Sequence, residues 1–343
     1  MSTYADAART RDLMTRLMDG YLSTQMLYVT ARLGLVDLLV DGPRTSAELA
    51  TAVGAAPEPL HRLLRGLVME GVLTEEPNGR FGVTDAGRLL RGDGPGSLRG
   101  AVLARGALYY RAAAGLLETI RGGGSAFRHV YGVEMFEHLA LFPEDADIFQ
   151  RSMLSRSHQE ADALASTYDF TPFEHVVDVG GGYGVTLTAI LNAFPGVRGT
   201  LFDRPDVAAT ARTRLAAAGL AQRTTVVGGD FFEGVPGGGD VYVLSRVLHD
   251  WNDDEAVRIL TSCRGVMTDR ARLVIVEAIL GDSVHDQPAA VRMDLHMLML
   301  ATGRERTSAE LASLLRAARF RLDRILTPSQ TPGLHVVEAT PDI

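Results

Sequence analysis

Apolar residues recur at helical spacing through the first part of the chain, interrupted by punctuating residues. Residues 11–40 carry one such run, ending in "LGLVDLLVDGP". "TSAELATAVG" (45–54) predicts a short helix with a hydroxyl cap, stopped by Gly54. "APEPLHRLLRGLVMEG" (56–71) predicts a second, with proline near its start and Gly71 after its last turn. In "VLTEEPNGRFGVTDAGRLL" two short strands flank a Pro-Asn-Gly turn. Helix, turn, helix and hairpin make a winged-helix pattern. "RGDGPGSLRG" (91–100) reads as a linker, and 101–165 as helical with breaks at "RGGGS" and "LFPED".

The pattern changes at His175. Strands are predicted near 175–179, 198–203, 224–228, 240–245 and 272–279. Helices near 184–194, 205–218, 253–267, 288–300 and 307–318 lie between or after them, and a strand pair near 320–327 and 334–340 closes the chain. Such alternation predicts an α/β fold of Rossmann-like type, a doubly wound, mostly parallel sheet. The expected organisation is a winged-helix domain over 1–100, a helical linking region over 101–165 and the α/β domain over 166–343.

Charge and composition narrow the functions this fold could carry. A net charge of −8 argues against a nucleic-acid partner unless a basic face is strongly localised. No apolar stretch reaches the ~18–20 residues of a membrane span. The N-terminal "MSTYADAARTRDLM" lacks an apolar core, so no secretory signal is expected, and a cytoplasmic location is. The single cysteine, Cys263, excludes an internal disulfide and a cysteine-built zinc site. All 34 basic residues are arginine. Without lysine there is no Schiff base, no phosphate-loop lysine and no lysine general base. No His/Asp/Glu group has ligand spacing along the chain, so no metal is expected.

The candidate ligand loop is "VVDVGGGYGV", residues 176–185. Glycines after a strand usually cradle phosphate, but the third glycine of a dinucleotide fingerprint is missing in either register. Asp178, Gly180, Gly182 and Gly184 instead form D-x-G-x-G-x-G. A carboxylate at the strand end favours a cation and disfavours pyrophosphate. S-adenosylmethionine is the common nucleoside cofactor with a sulfonium, an ammonium and no phosphate. Asp203, 23 residues after Gly180, ends the second strand where an acid can accept ribose hydroxyls. Asp230, Phe231 and Phe232 end the third, suited to an adenine amino group and ring. Any one of these acids could be a helix cap or a solvated strand end; the ordered set points to a cofactor. "VLSRVLHDWNDDEAVRIL" places His249 just after the fourth strand. A phenol of pKa near ~10 needs its proton removed before it attacks, and histidine is suited to take it. Asp250, Asp253, Asp254 and Glu255 read as caps and first-turn acids of the next helix.

With "VVDVGGGYG", "FDRPDV", "GDFF", "LSRVLHDWNDDEA", "VIVEAIL" and "GRERTSAEL" together, the chain resembles the small-molecule O-methyltransferases related to plant caffeate and flavonoid enzymes and bacterial polyketide-tailoring ones. The resemblance runs over nearly the whole chain. It implies a homodimer built by the winged-helix domain, S-adenosylmethionine as cofactor and a small aromatic acceptor with a phenolic hydroxyl. It implies His249 as base, held by Glu277 and Glu305. Ser245-Arg246 stands where plant relatives have lysine-tryptophan, so both are candidate cofactor contacts with altered electrostatics. Trp251 packs beside adenine or is a core tryptophan, and Ser157 is a further candidate cofactor contact. Phe149 and Met153 match positions flanking substrate and cofactor. The helix bearing Met293, Asp294, His296 and Met297 lines the acceptor site in the family, although a methionine-rich helix can equally be core.

Two other readings stand beside this one. A cofactor-dependent hydroxylase or decarboxylase uses the same scaffold, against which the joint presence of His249, Glu277 and Glu305 weighs. A ligand-sensing regulator would place Arg62 and Arg65 on DNA phosphates, against the acids Glu70, Glu75 and Glu76 around the wing.

Overall fold

The computed structural model describes residues 2–92, 96–329, 331 and 333–342, and divides the chain into two compact units. The first holds residues 1–111 and 143–155, the second 112–142 and 156–343. Residues 101–165, read from sequence as one linking region, are thus apportioned between both. Residues 93–95, inside the expected linker, lie outside the described residues.

In the first unit, the helical run at the N-terminus divides into helices Ser2–Met18, Gly20–Leu33 and Leu35–Leu39. The last break falls at Gly34, whose φ of +66° ends one helix in the left-handed region. Helix Ser46–Val53 opens with a reciprocal cap, Thr45 and Glu48 each accepting the other's backbone N–H, and closes at Gly54. Helix Pro57–Met69 follows, with proline in its first turn where no N–H is needed. Strands β1 (Arg44–Thr45), β2 (Leu73–Glu75) and β3 (Arg80–Val83) form an antiparallel sheet in the order β1-β3-β2. The core joins Leu35, Leu49, Leu64, Leu67 and Phe81, all fully buried. The winged-helix pattern is therefore realised, its apolar positions facing inward.

The second unit carries a sheet of strands β4 (His175–Val179), β5 (Arg198–Asp203), β6 (Thr224–Gly228), β7 (Val241–Ser245), β8 (Arg272–Leu280), β10 (Phe320–Leu326) and β11 (Leu334–Pro341). Their order is β10-β11-β8-β7-β4-β5-β6, and a two-residue strand β9 (Arg306–Thr307) pairs with β8. The strands from β4 to β8 run parallel, whereas β10 and β11 are antiparallel. Parallel strands buried on both faces need helices on both, and two apolar layers provide them. Ile259, Leu260, Leu311 and Leu315 cover one face, and Leu187, Ile190, Ala211 and Leu215 the other. The chain leaves β4 toward β5 on one side and returns to β7 on the other. That switch opens a crevice at the carboxyl ends of β4 and β7, where ligands bind in such sheets. Among the described residues, no helix is long and apolar enough to cross a membrane.

Helix Pro57–Met69 offers a simple check of which face is core. Leu64 is fully buried, whereas Arg62 makes only an exposed pair with Glu58 at 3.7 Å. Urea unfolding should show Leu64→Ala losing about 2–5 kcal/mol. Arg62→Ala should stay within about 0.5 kcal/mol of the parent. Equal losses would mean that this face is misassigned.

Candidate active site

β4 runs directly into the glycine loop. Gly180, Gly182 and Gly184 have φ of +71°, +55° and +82°, a region where any side chain is strained. The loop is tied to β5: Gly180 N–H donates to Phe202 O at 2.8 Å, and Gly182 N–H to Asp203 Oδ2 at 2.8 Å. Asp178 lies beneath it, so close that a Cβ on Gly181 would stand 2.7 Å from its Oδ2. Its carboxylate is fully buried, and neither oxygen completes a hydrogen bond. Burial, then the neighbouring Asp203, pushes its carboxyl up to about 7; the Leu187 N–H faces it and eases the shift without closing a bond. Burial also raises Asp203, which accepts the Arg204 N–H at 2.7 Å.

Beyond β6, Asp230 is exposed and accepts the Phe232 N–H at 2.8 Å. Phe231 and Phe232 stand edge-on to Trp251 with centroids 5.7 and 4.7 Å away, and Phe136 stacks on it at 5.6 Å. Trp251 is thus part of an aromatic group, half-buried, rather than an enclosed core residue. A glycine-rich loop, two unfilled buried carboxylate oxygens and aromatic faces suit a nucleoside carrying a cation. Ser245 and Ser157 are half-buried in the same unit.

β7 ends at Ser245, and a single turn, Leu248–Asp250, presents His249. The imidazole is buried, and its Nδ1–H donates to Glu305 Oε1 at 2.8 Å. Glu277, inside β8, lies 3.6 Å from Nδ1 and accepts the Leu248 N–H at 3.0 Å. Burial alone would lower the imidazole pKa, but Glu277, Glu305 and Asp250 outweigh it and push it up to about 9. Burial raises Glu277 to about 7. Burial acts upward on Glu305 too, yet His249 holds it below the usual range.

Three features hold the turn in place. Buried Arg306 donates to Leu248 O at 2.9 Å and to Trp251 O at 2.7 Å, clamping the carbonyls on either side of His249. Gly303 passes so close that a Cβ there would meet His249 O at 2.1 Å. Asp294 accepts the Glu305 N–H at 2.9 Å, fixing the carboxylate that grips the imidazole.

Several expectations need correction. Asp250 does not cap the following helix; Asn252 does, in a reciprocal cap with Glu255. Asp250 instead faces His249 Nε2 at 3.7 Å, with burial raising its carboxyl to about 6. Arg246, a candidate cofactor contact, turns its guanidinium onto Glu160 at 2.7 Å, with Glu305 at 3.5 Å and Glu277 at 3.9 Å, which leaves that expectation open. The lack of ligand spacing along the chain also misleads: His249, Glu277 and Glu305 have potential ligand atoms within 4.8 Å of one another. The Nδ1–Oε1 hydrogen bond already joins two of those groups, and Arg246 supplies positive charge beside the carboxylates.

The acceptor candidates are spread more widely. Met293, Asp294, His296 and Met297 share helix Pro288–Leu300, with Met293 Sδ 3.4 Å from Arg156 Nη1. Phe149, buried, and Met153, half-buried, belong to the first unit and are described there only. Sequence reasoning missed Glu160, Arg306 and Phe136. Arg306 adjoins Glu305 in "GRERT" and was within reach, whereas Glu160 sits in an unremarked polar helix stretch, "SHQEADA".

Comparison with known proteins identifies the family. Residues 113–321 match the O-methyltransferase domain model and 15–93 the O-methyltransferase dimerisation domain model. The phenazine O-methyltransferase PhzM of Lysobacter antibioticus is 42% identical, covering 98% of either chain. The O-demethylpuromycin-O-methyltransferase of Streptomyces alboniger is 40% identical over 95% of this chain and 88% of its own. The solved O-methyltransferase NcsB1 from neocarzinostatin biosynthesis, in complex with S-adenosylmethionine and 2-hydroxy-5-methyl naphthoic acid, superposes with a TM-score of 0.82 at 34% identity, covering 93% of this chain and 96% of that one. A strand-end acid, a glycine loop without phosphate ligands and a histidine gripped by glutamate thus coincide with near-full-length relatives, and the chain belongs to the S-adenosylmethionine-dependent O-methyltransferase family.

Proposed function

We propose that this enzyme transfers a methyl group to a phenolic hydroxyl of an aromatic secondary metabolite, with His249 as the general base. The observation that carries this reading is the hydrogen bond from Nδ1 to Glu305 at 2.8 Å. It fixes one ring nitrogen as donor and leaves Nε2 to accept the hydroxyl proton. Glu305 and Glu277 then stabilise the imidazolium that forms, as a carboxylate does in acyl-transfer triads. Arg306 and Gly303 hold the turn, so the base is placed before the acceptor arrives.

S-adenosylmethionine supplies the electrophilic methyl when bound. Asp178, Gly180, Gly182, Asp203, Asp230, Phe231, Trp251 and Ser245 would hold it, with Ser157 nearby in sequence to Glu160. Asp203 keeps lone pairs for ribose hydroxyls beyond the two N–H groups it accepts. The acceptor side would comprise Met293, Asp294, His296 and Met297 of helix Pro288–Leu300. Aromatic acceptors are favoured by the phenazine and naphthoate named for the relatives above. A hydroxylase or decarboxylase on this scaffold would have no need of a gripped base, which weighs against it.

The domain over 1–100 would dimerise the chain, 101–165 link and 166–343 catalyse. Leu13, Met14, Leu17 and Tyr21 expose large apolar surface suited to a second copy. Cytoplasmic residence belongs to this reading, because the cofactor is an intracellular metabolite.

His249→Gln should lower kcat by about 10²–10⁴-fold while calorimetry finds cofactor affinity unchanged. In the parent enzyme, kcat/KM should climb with pH to a plateau near the imidazole's pKa of about 9, as the neutral base is populated. A wild-type rate in the variant would sink the assignment.

Asp178 provides a separate test. Its carboxyl rises from 3.8 to about 7 on folding, so the folded state holds the proton more tightly. Stability therefore falls as pH climbs through that window and stays reduced above it. Asp178→Asn should raise the Tm of the cofactor-free enzyme at alkaline pH by roughly 2–4 °C. The same variant should bind S-adenosylmethionine much more weakly, and undiminished affinity would remove Asp178 from the site.

A further inference from the structure

Arg246 closes β7 in an unusual conformation. Its φ of 56° is left-handed, which a residue with a side chain adopts only under constraint. The constraint is visible. Nε and Nη2 form a fork on the buried Glu160 carboxylate, at 3.1 and 2.7 Å to Oε1 and 3.2 Å to Oε2. The third nitrogen, Nη1, completes no hydrogen bond and lies 3.5 Å from Glu305 Oε1. That oxygen is the one His249 Nδ1–H donates to at 2.8 Å. One carboxylate oxygen therefore lies between two cationic groups.

We propose that Arg246 is a positioning residue for the transfer step: by sharing Glu305 Oε1 with the imidazole it keeps His249 able to shed its proton, and Glu160 holds it there. This rests on His249 being the base. The groups facing the imidazole are Glu277 from β8, Glu305 from the segment before β9 and Asp250 from its own turn, and Arg246, just after β7, lies against the first two. Arg156 and Glu160 stand behind them on helix Pro143–Thr167, and His335 of β11 pairs across from Glu277. The carboxylates outnumber the cations. Removing Arg246 would leave, of these groups, Arg156 as the one guanidinium to oppose Glu277, Glu305 and Asp250, and a base that cannot lose its proton cannot take another.

The test compares Arg246→Lys, Arg246→Met and Glu160→Gln by the pH dependence of kcat/KM, and by NMR titration of the His249 imidazole in enzyme saturated with S-adenosylhomocysteine. Arg246→Lys should retain the parent profile, because the charge stays. Arg246→Met should move the limb and the titration up by about one pH unit, a loss of about tenfold near neutrality that recovers in alkali. Glu160→Gln should move both down, as the guanidinium turns more fully to Glu305. If Arg246→Met does not fold with Glu160 unpaired, Arg246→Met with Glu160→Gln is read in its place, with the same upward shift expected. An unmoved limb and titration, with a rate reduced at every pH, would make Arg246 a brace for the helix and overturn the inference. Failure of the base itself is seen separately, as a wild-type rate in His249→Gln.

Discussion

The structure of this active site depends on the bond between His249 Nδ1 and Glu305 Oε1, made where water cannot reach it. A buried imidazole among carboxylates is stable only if every partner is held, since an unpaired buried charge is costly. The surrounding construction follows from that requirement. β8 carries Glu277 to the turn, β9 brings Glu305 beside it, and Arg306 fastens the turn's carbonyls. Gly303 is glycine because the backbone of residues 249–251 occupies the space of its Cβ. Each element has a local reason, and together they fix the orientation of one ring.

The glycine-loop side of the crevice follows the opposite rule. There the loop is mostly glycine, and Asp178 keeps two buried oxygens without partners. A fold optimised for stability alone would not leave a carboxylate so placed. Binding sites commonly retain such unsatisfied groups, with the rest of the core offsetting the cost. The two apolar layers over the parallel sheet provide that reserve.

Between these halves lies a buried charge cluster drawn from separate elements of the second unit. Glu160 comes from the helix before the sheet, Arg246 from just after β7, Glu277 from β8 and Glu305 from beyond helix Pro288–Leu300. The cluster joins the helix carrying Glu160, through Arg246, to the carboxylates around His249.

The sequence by itself determined the alternation of strands and helices, the winged-helix pattern and the strand-end positions of Asp178, Asp203 and His249. These are local properties: hydrophobic period, caps and breaks act over a few residues, and the parallel sheet follows from their order. Nearly every strand and helix predicted from His175 onward lies within a residue or two of its observed bounds. Asp250 was misread because a run of acids before a helix resembles a cap, while Asn252 made the cap. Only the tertiary structure decided which charges share a site. Arg246 and Glu160 stand 86 residues apart, and His249 and Glu305 stand 56 apart. No pattern along the chain encodes which oxygen lies between two cations, because that distance is set by the packing of three strands and a helix.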